Sequence, residues 1–348
     1  MDKIKTKDRA ALSRRLSYGL VIAFYAVITA LDAAGMLKSS IRGMLVPVCV
    51  YVIMALSLNL TVGILGELSL GHAGFMGVGA FTGTAVAVGL EGIVVSPLAR
   101  LLIGIAVGTV CGALTGFLVG IPVLRLNGDY LAIVTLAFGE ILKSIFNNIY
   151  LGKDSAGLHF SMLEDKMGLQ PGGRYIIQGA MGIRSIPKTA SFTVGVMLIL
   201  ITLFIIFNLV NSKTGRAIMA IRDNRIAAES VGIDVTAYKM TAFVTSAAIA
   251  GAAGALFGQN YSSLIASKFG FDTSILVLVF VVLGGQGNML GSIIAAAALT
   301  VLPEALRGFN DYRMLVYAVV LIAVMLIRNS SAFRMMIFRF RRGFDSEG

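Results

Sequence analysis

The sequence predicts an all-α polytopic membrane protein of about ten transmembrane helices with both termini in the cytoplasm, and three observations carry that prediction. The 348 residues are 57% hydrophobic and only 14% charged, whereas a soluble domain carries about 25% charged residues and needs them to face water. Apolar stretches of roughly 20 residues, the length that crosses a bilayer, follow one another along almost the whole chain. Lys and Arg gather at the two ends and in one internal segment. This composition excludes a soluble enzyme and a disordered chain. The net charge of +11 fits segments flanking a membrane rather than nucleic-acid binding, so the expected partner is the lipid bilayer and not a nucleic acid.

The expected spans are 17–36, 41–63, 72–90, 97–120, 130–150, 191–211, 240–261, 272–289, 291–307 and 312–328. Each must be helical, because backbone facing lipid has to satisfy its own hydrogen bonds. The runs are continuously apolar, without the alternation of a β-barrel strand. The first span follows Lys3, Lys5, Lys7, Arg9, Arg14 and Arg15. That pattern also fits a signal peptide cleaved after Ala33-Ala34, but the topology needs the segment as a true span. Three basic segments set the orientation: 1–16, the loop 212–239 (Lys213, Arg216, Arg222, Arg225, Lys239), and the tail 329–348 (Arg334, Arg339, Arg341, Arg342). An even number of spans separates each from the next, so all three share one side, and the positive-inside rule makes it the cytoplasm. Residues 17–328 then form a single transmembrane domain, and segment 151–190 lies outside as an ordered cap. Cys49 and Cys111 fall inside apolar runs and read as small packing residues.

The fourth span places Gly104, Gly108, Gly112, Gly116 and Gly120 four residues apart, a stripe along one helical face that admits another backbone closely. The seventh carries a similar stripe of Ala247, Gly251 and Ala255, flanked by Ala250, Gly254 and Gly258. Such smooth faces serve either fixed helix packing or sliding between states.

Four segments could carry function. Residues 59–83, NLTVGILGELSLGHAGFMGVGAFTG, mix a glycine cluster with Glu67, Ser69 and His72. They read as an interrupted helix lining a cavity, or as a turn before a glycine-rich packing helix. His72 has no His, Cys or carboxylate at ligand spacing, so it reads as a hydrogen-bonded structural group, and no metal is expected. Residues 127–144 open the fifth span at Asp129 and Tyr130 and place Glu140 and Lys143 three apart, on one face and able to pair. In 212–239, Ile218, Ile221, Ile226 and Val231 suit one apolar face, with Arg222, Asp223, Arg225 and Glu229 solvated and Gly232 ending the helix. That helix either lies on the lipid surface or docks into a partner's groove. Residues 283–292, LGGQGNMLGS, form a tight uncharged hairpin. The chain contains no phosphate-binding loop, so any nucleotide would bind another chain.

With these segments in hand, the sequence resembles the membrane permease subunits of branched-chain amino acid ABC importers, of the LivM type. The resemblance spans roughly 45–327 and rests on 59–81, on GDYLAIVTLAFGEI (128–141), on TGRAIMAIRDNRIAAESVGI (214–233) and on VLGGQGNMLGSIIAA (282–296). The third is similar to the cytoplasmic permease loop that docks on the ATPase, E-A-A-x-x-x-G. Ala227, Ala228 and Gly232 match, and Ile226 stands where that pattern has Glu, a departure that bears on the details of ATPase contact.

The resemblance implies an importer permease fold with two pseudo-symmetric halves in a bacterial inner membrane. It implies a second homologous permease, two cytoplasmic ATPases and an extracytoplasmic binding protein as partners. This chain would then be no enzyme and bind no cofactor, with ATP and Mg held by the partner ATPases. Arg216, Arg222, Asp223, Asn224, Ala227, Ala228, Glu229 and Gly232 would couple to the ATPase. A zwitterionic amino acid crosses hydrocarbon only at heavy cost, and Asn59, Ser69, His72 and Thr135 are candidates to line a polar path. Gly104, Gly108, Gly112, Gly116, Gly251 and Gly254 would serve helix packing. The alternatives are an ABC permease for urea, amides or other amino acids, or a stand-alone channel or secondary transporter using Glu140 and Glu304.

Overall fold

The computed structural model describes residues 2–126, 128–154, 157–162 and 173–306, with isolated helical positions at 315, 318, 319, 322 and 326. The expected tail 329–348 and most of the expected tenth span lie outside the described residues. The chain divides into two compact units, residues 1–296 and 297–348.

The elements run α1 (Asp2–Ala33), α2 (Ser39–Asn59), α3 (His72–Gly89), α4 (Pro97–Val123), α5 (Asp129–Asn148), β1 (Tyr150–Asp154), β2 (Gly157–Ser161), β3 (Arg174–Gln178), β4 (Ile183–Arg184), α6 (Phe192–Asn211), α7 (Lys213–Asp223), α8 (Arg225–Ser230), α9 (Val235–Gly258), β5 (Ser263–Leu264), α10 (Phe271–Gly284) and α11 (Met289–Ala305). Among the described residues, six helical stretches are long and apolar enough to cross a membrane: Arg14–Ala33, Ser39–Leu65, Pro97–Val123, Tyr130–Asn148, Phe192–Asn211 and Val235–Gly258. Helices α10 and α11 are apolar but shorter. The basic N-terminal stretch forms the first turns of α1.

Several helix starts were written locally. Ser96 accepts from the Ala99 amide with Pro97 in the first turn, and Ser191, Ser212, Asn224 and Asp234 cap α6, α7, α8 and α9 in the same way. The all-α expectation takes one amendment. Segment 151–190 carries short strands, in a three-stranded antiparallel sheet of order β2-β1-β3, while β4 pairs with β5 just after α9. These strands lie between helices rather than within an apolar span, where the helix is not obligatory.

At the centre, α3, α4 and α9 pack backbone to backbone. A Cβ at Gly108 would sit 2.8 Å from the Ala255 Cβ and 2.9 Å from the Gly79 carbonyl oxygen, and one at Gly112 would sit 3.0 Å from the Gly251 Cα. Gly104 faces the Gly83 carbonyl and the Gln259 amide, Gly116 faces Ala247, Gly251 faces the Gly108 carbonyl, and Gly254 faces the Met76 carbonyl. No side chain larger than hydrogen fits at these crossings. Helix α2 is buried along nearly its whole length from Leu45 to Asn59. By contrast α4 turns Leu98, Leu102, Val110, Leu114 and Leu118 outward. An apolar helix exposed on that scale needs a lipid environment.

Candidate coupling site at the end of helix α2

Helix α2 does not end in an ordinary α turn. Residues Leu60–Leu65 widen into a π turn, and Gly66 closes it in the left-handed region at φ +82°. Inserted π turns recur at functional sites, and a helix C-terminus leaves four carbonyls without intrahelical partners. One of them, the Gly63 carbonyl, accepts from Arg222 Nη1 at 3.0 Å. Arg222 lies at the last turn of α7, and its aliphatic stem crosses Gly66 so closely that a Cβ there would sit 2.6 Å from the Arg222 Cγ. A cation at a helix C-terminus is also favoured by the helix dipole. Arg222 bonds its neighbour Asp223 at 3.0 Å as well.

The same turn holds the glycine-rich hairpin. Asn59 Oδ1 accepts from the Gly287 amide at 2.8 Å, and Asn59 Nδ2 donates to Ser292 Oγ at 3.0 Å. Gly63 lies against this hairpin, where a Cβ would sit 2.9 Å from the Gly287 Cα. A cleft of about 510 Å³ remains between these elements, lined by Val62, Gly63, Gly66, Leu68, Arg222 and Gln286.

Residues 66–71 are clamped from two further directions. Glu67 pairs with Lys239 of α9, the lysine buried and the carboxylate mostly so. The Leu70 amide donates to Thr135 Oγ1 at 3.1 Å, and Thr135 in turn donates to the Ala132 carbonyl at 2.9 Å. Thr135 therefore fastens this connector to α5. The Ser69 hydroxyl is buried without a hydrogen-bond partner among the described residues.

His72 opens α3 and meets Ser57 Oγ through Nε2 at 2.7 Å. The Ser57 hydroxyl donates to the Ser246 carbonyl at 2.7 Å, so its one proton is committed and His72 Nε2 is the donor. Ser246 Oγ donates to the Ser57 carbonyl and accepts from Thr61 Oγ1 at 2.8 Å. This small network ties α2 to α3 and α9. Asn59, Ser69, His72 and Thr135 are all 2% exposed or less. They do not form one cluster: Asn59 serves the hairpin, His72 the interior network, and Thr135 the connector beside Ser69.

The 212–239 segment breaks into α7 and α8 ahead of the first residues of α9, because Asn224 leaves the helical region (φ −157°, ψ 104°) and caps α8 through the Ala227 amide at 3.0 Å. This break corrects the single apolar face. Ile218 and Ile221 are buried, whereas Ile226 and Val231 are 77% and 76% exposed. Ala228 is buried against Ile221 and Val235. Arg216 reaches the Asn211 carbonyl at 3.2 Å, Arg225 pairs with Glu229 at 3.0 Å, and Ala227 stands exposed. Helix α8 ends at Ser230, and Gly232 takes φ +84° while its amide bonds the Glu229 carbonyl and the Ile233 amide bonds that of Ala228, a Schellman closure.

Far along the chain from this site, Glu140 and Lys143 pair, and Glu140 Oε1 accepts from the Phe271 amide at 3.2 Å. Helix α10 has no side-chain cap of its own at Gly270, so α5 supplies it. Sequence reasoning missed Ser57, Thr61, Ser246 and Ser274, the last accepting from the Ala73 amide at 3.1 Å. Isolated hydroxyls within apolar runs were the available signal. It also missed the Glu67–Lys239 pair, whose signal was two ionisable groups at the edges of apolar spans.

Long outward-facing apolar helices around a glycine-packed centre, with a pair of short helices bonded to one helix end, define a multi-pass membrane protein. A family model described as the branched-chain amino acid transport system permease component matches residues 40–325, and the chain belongs to that family. It is a multi-pass inner-membrane protein. Over 291 residues it is 37% identical to the high-affinity branched-chain amino acid transport system permease protein LivM of Salmonella typhimurium and 36% identical to that of Escherichia coli. Each match covers 80% of this chain and 66% of the relative, so the chain spans just under two thirds of their length. The fructose import permease protein FruG of Bifidobacterium longum is 27% identical over 133 residues, covering 36% of this chain and 38% of FruG.

Proposed function

We propose that this chain is the permease subunit of an ATP-driven importer and forms, with a homologous permease, the path for branched-chain amino acids delivered by an extracytoplasmic binding protein. The family match and the naming of the LivM relatives as branched-chain amino acid permeases support the substrate class. The observation that carries the mechanism is the bond from Arg222 to the Gly63 carbonyl, which joins the α7–α8 pair to the end of a buried membrane helix. Two cytoplasmic ATPases holding ATP and Mg would grip α8, where Ile226 and Val231 offer apolar anchors among Arg225, Ala227 and Glu229. ATPase closure would then move α7, and α7 would move the bundle.

In this reading the protein has about ten spans arranged as two pseudo-symmetric halves, both termini and the 212–239 segment are cytoplasmic, and the 151–190 strands cap the outer face. Asn59, Ser69, His72 and Thr135 meet substrate only when the bundle opens, since all four are buried at present. The test is uptake of labelled leucine into proteoliposomes holding both permeases, the ATPases and the binding protein. Uptake that needs ATP and every subunit is expected. Equal uptake by this chain alone would overturn the reading in favour of a channel or secondary transporter.

A further inference from the structure

We infer that the π turn at Leu60–Leu65 is a relay that links the last turn of α7 to the hairpin between α10 and α11, with Arg222 and Asn59 as its two positioning residues. The inference deepens the coupling reading above and rests on it for its transport consequence, although the mechanical link itself can be measured without any substrate.

The argument is one of connectivity. Arg222 enters the turn at the Gly63 carbonyl, 159 residues away in sequence, and Asn59 leaves it for Gly287 and Ser292, 228 and 233 residues away. The two attachments sit on one turn of backbone, four residues apart. Gly63 is common to both, because its carbonyl receives Arg222 while its missing side chain makes room for the Gly287 backbone. Neither attachment can shift without disturbing the other. Gly285 and Gly287 turn the hairpin through positive φ (+100° and +79°), a path open to glycine, and the Asn288 amide closes it on the Gly285 carbonyl at 2.9 Å. The Asn59 amide fastens that hairpin to the turn with one acceptor and one donor, both used. A displacement of α7 therefore reaches α10 and α11 through three hydrogen bonds and one backbone turn, a chain of discrete contacts of the kind that carries coupling.

Hydrogen exchange on the full chain in lipid nanodiscs tests the link. In Arg222→Ala the amides of 284–288 should exchange about tenfold faster, and Asn59→Ala should produce the same acceleration. In Arg222→Ala/Asn59→Ala the acceleration should not exceed that of either single change, since both break one relay. Exchange that quickens only within 60–66 in Arg222→Ala would overturn the inference. A second experiment avoids deleting either residue. Val62→Cys and Gln286→Cys, in a Cys49→Ala/Cys111→Ala background, are joined by a short bismaleimide in the assembled complex. If turn and hairpin move as one body, leucine uptake per ATP hydrolysed should stay within about twofold of the unlinked protein. Arrest of uptake by the link would overturn the relay while leaving the transport function standing. Absence of uptake before linking would instead count against the proposed function, and the exchange measurement would still decide the relay.

Discussion

Glu67 and Lys239, 172 residues apart, form an ion pair in the interior between the connector after α2 and the second turn of α9. Their side chains are 13% and 5% exposed, so either charge left without its partner would be largely shielded from water. Removing one partner of a buried pair costs about 3–5 kcal/mol, whereas replacing both with neutral groups of similar size is often close to neutral. Lys239→Met should lower the thermal midpoint of the purified chain sharply, and Glu67→Gln/Lys239→Met should recover most of the loss. Equal destabilisation by the single and double changes would show that the pair contributes packing rather than charge balance.

The crossing of α4 with α3 and α9 depends on absent side chains. Gly108→Val would drive methyl groups into Ala255 and the Gly79 carbonyl, and overpacking of this kind costs about 1–3 kcal/mol or more. Val110 lies on the same helix but is 58% exposed, so Val110→Leu should leave the midpoint within the error of the measurement. The contrast separates the glycine face from the general apolar character of α4.

Helix α10 borrows its N-terminal cap from α5. Glu140→Ala should release the Phe271 amide and cost about 1 kcal/mol, the usual value for a lost cap, while Glu140→Gln keeps an acceptor and should cost less. Hydrogen exchange at 271–274 reads the difference directly. No change at those amides in Glu140→Ala would remove Glu140 from the capping role.

Sidedness follows from the proposed topology. A single cysteine at Ile226, in a chain lacking Cys49 and Cys111, should react with an impermeant maleimide in inside-out vesicles but not in intact spheroplasts. A cysteine at Phe160 should do the reverse. Both positions are well exposed, 77% and 62%, so labelling depends on side rather than burial. Reaction of Ile226→Cys from outside would refute the cytoplasmic placement of α7 and α8.

The glycine stripe was legible in sequence because helical period alone puts Gly104, Gly108, Gly112 and Gly116 on one face. The Glu140–Lys143 pair was legible for the same reason, being local on one helix. The apolar face of 212–239 was misread at Ile226 and Val231, since a periodicity carried through Asn224 ignores that Asn also caps a new helix there. The targets of Arg222, Asn59 and Lys239 lay beyond sequence because each bond joins elements at least 159 residues apart. Only the folded packing brings them together. The strands of 150–161 were hidden by their brevity and by glycines that carry no alternating pattern.

Because the chain buries α2 from Leu45 to Asn59, that stretch of helix is shielded from the lipid. Bilayer thickness and acyl composition press on the outer faces of α4 and α6, where Leu118 and Phe204 stand outward, and leave the central rod untouched. A push delivered at its Asn59 end should therefore travel the same way in thin and thick membranes. Host lipids would tune how well the protein inserts without retuning how it moves.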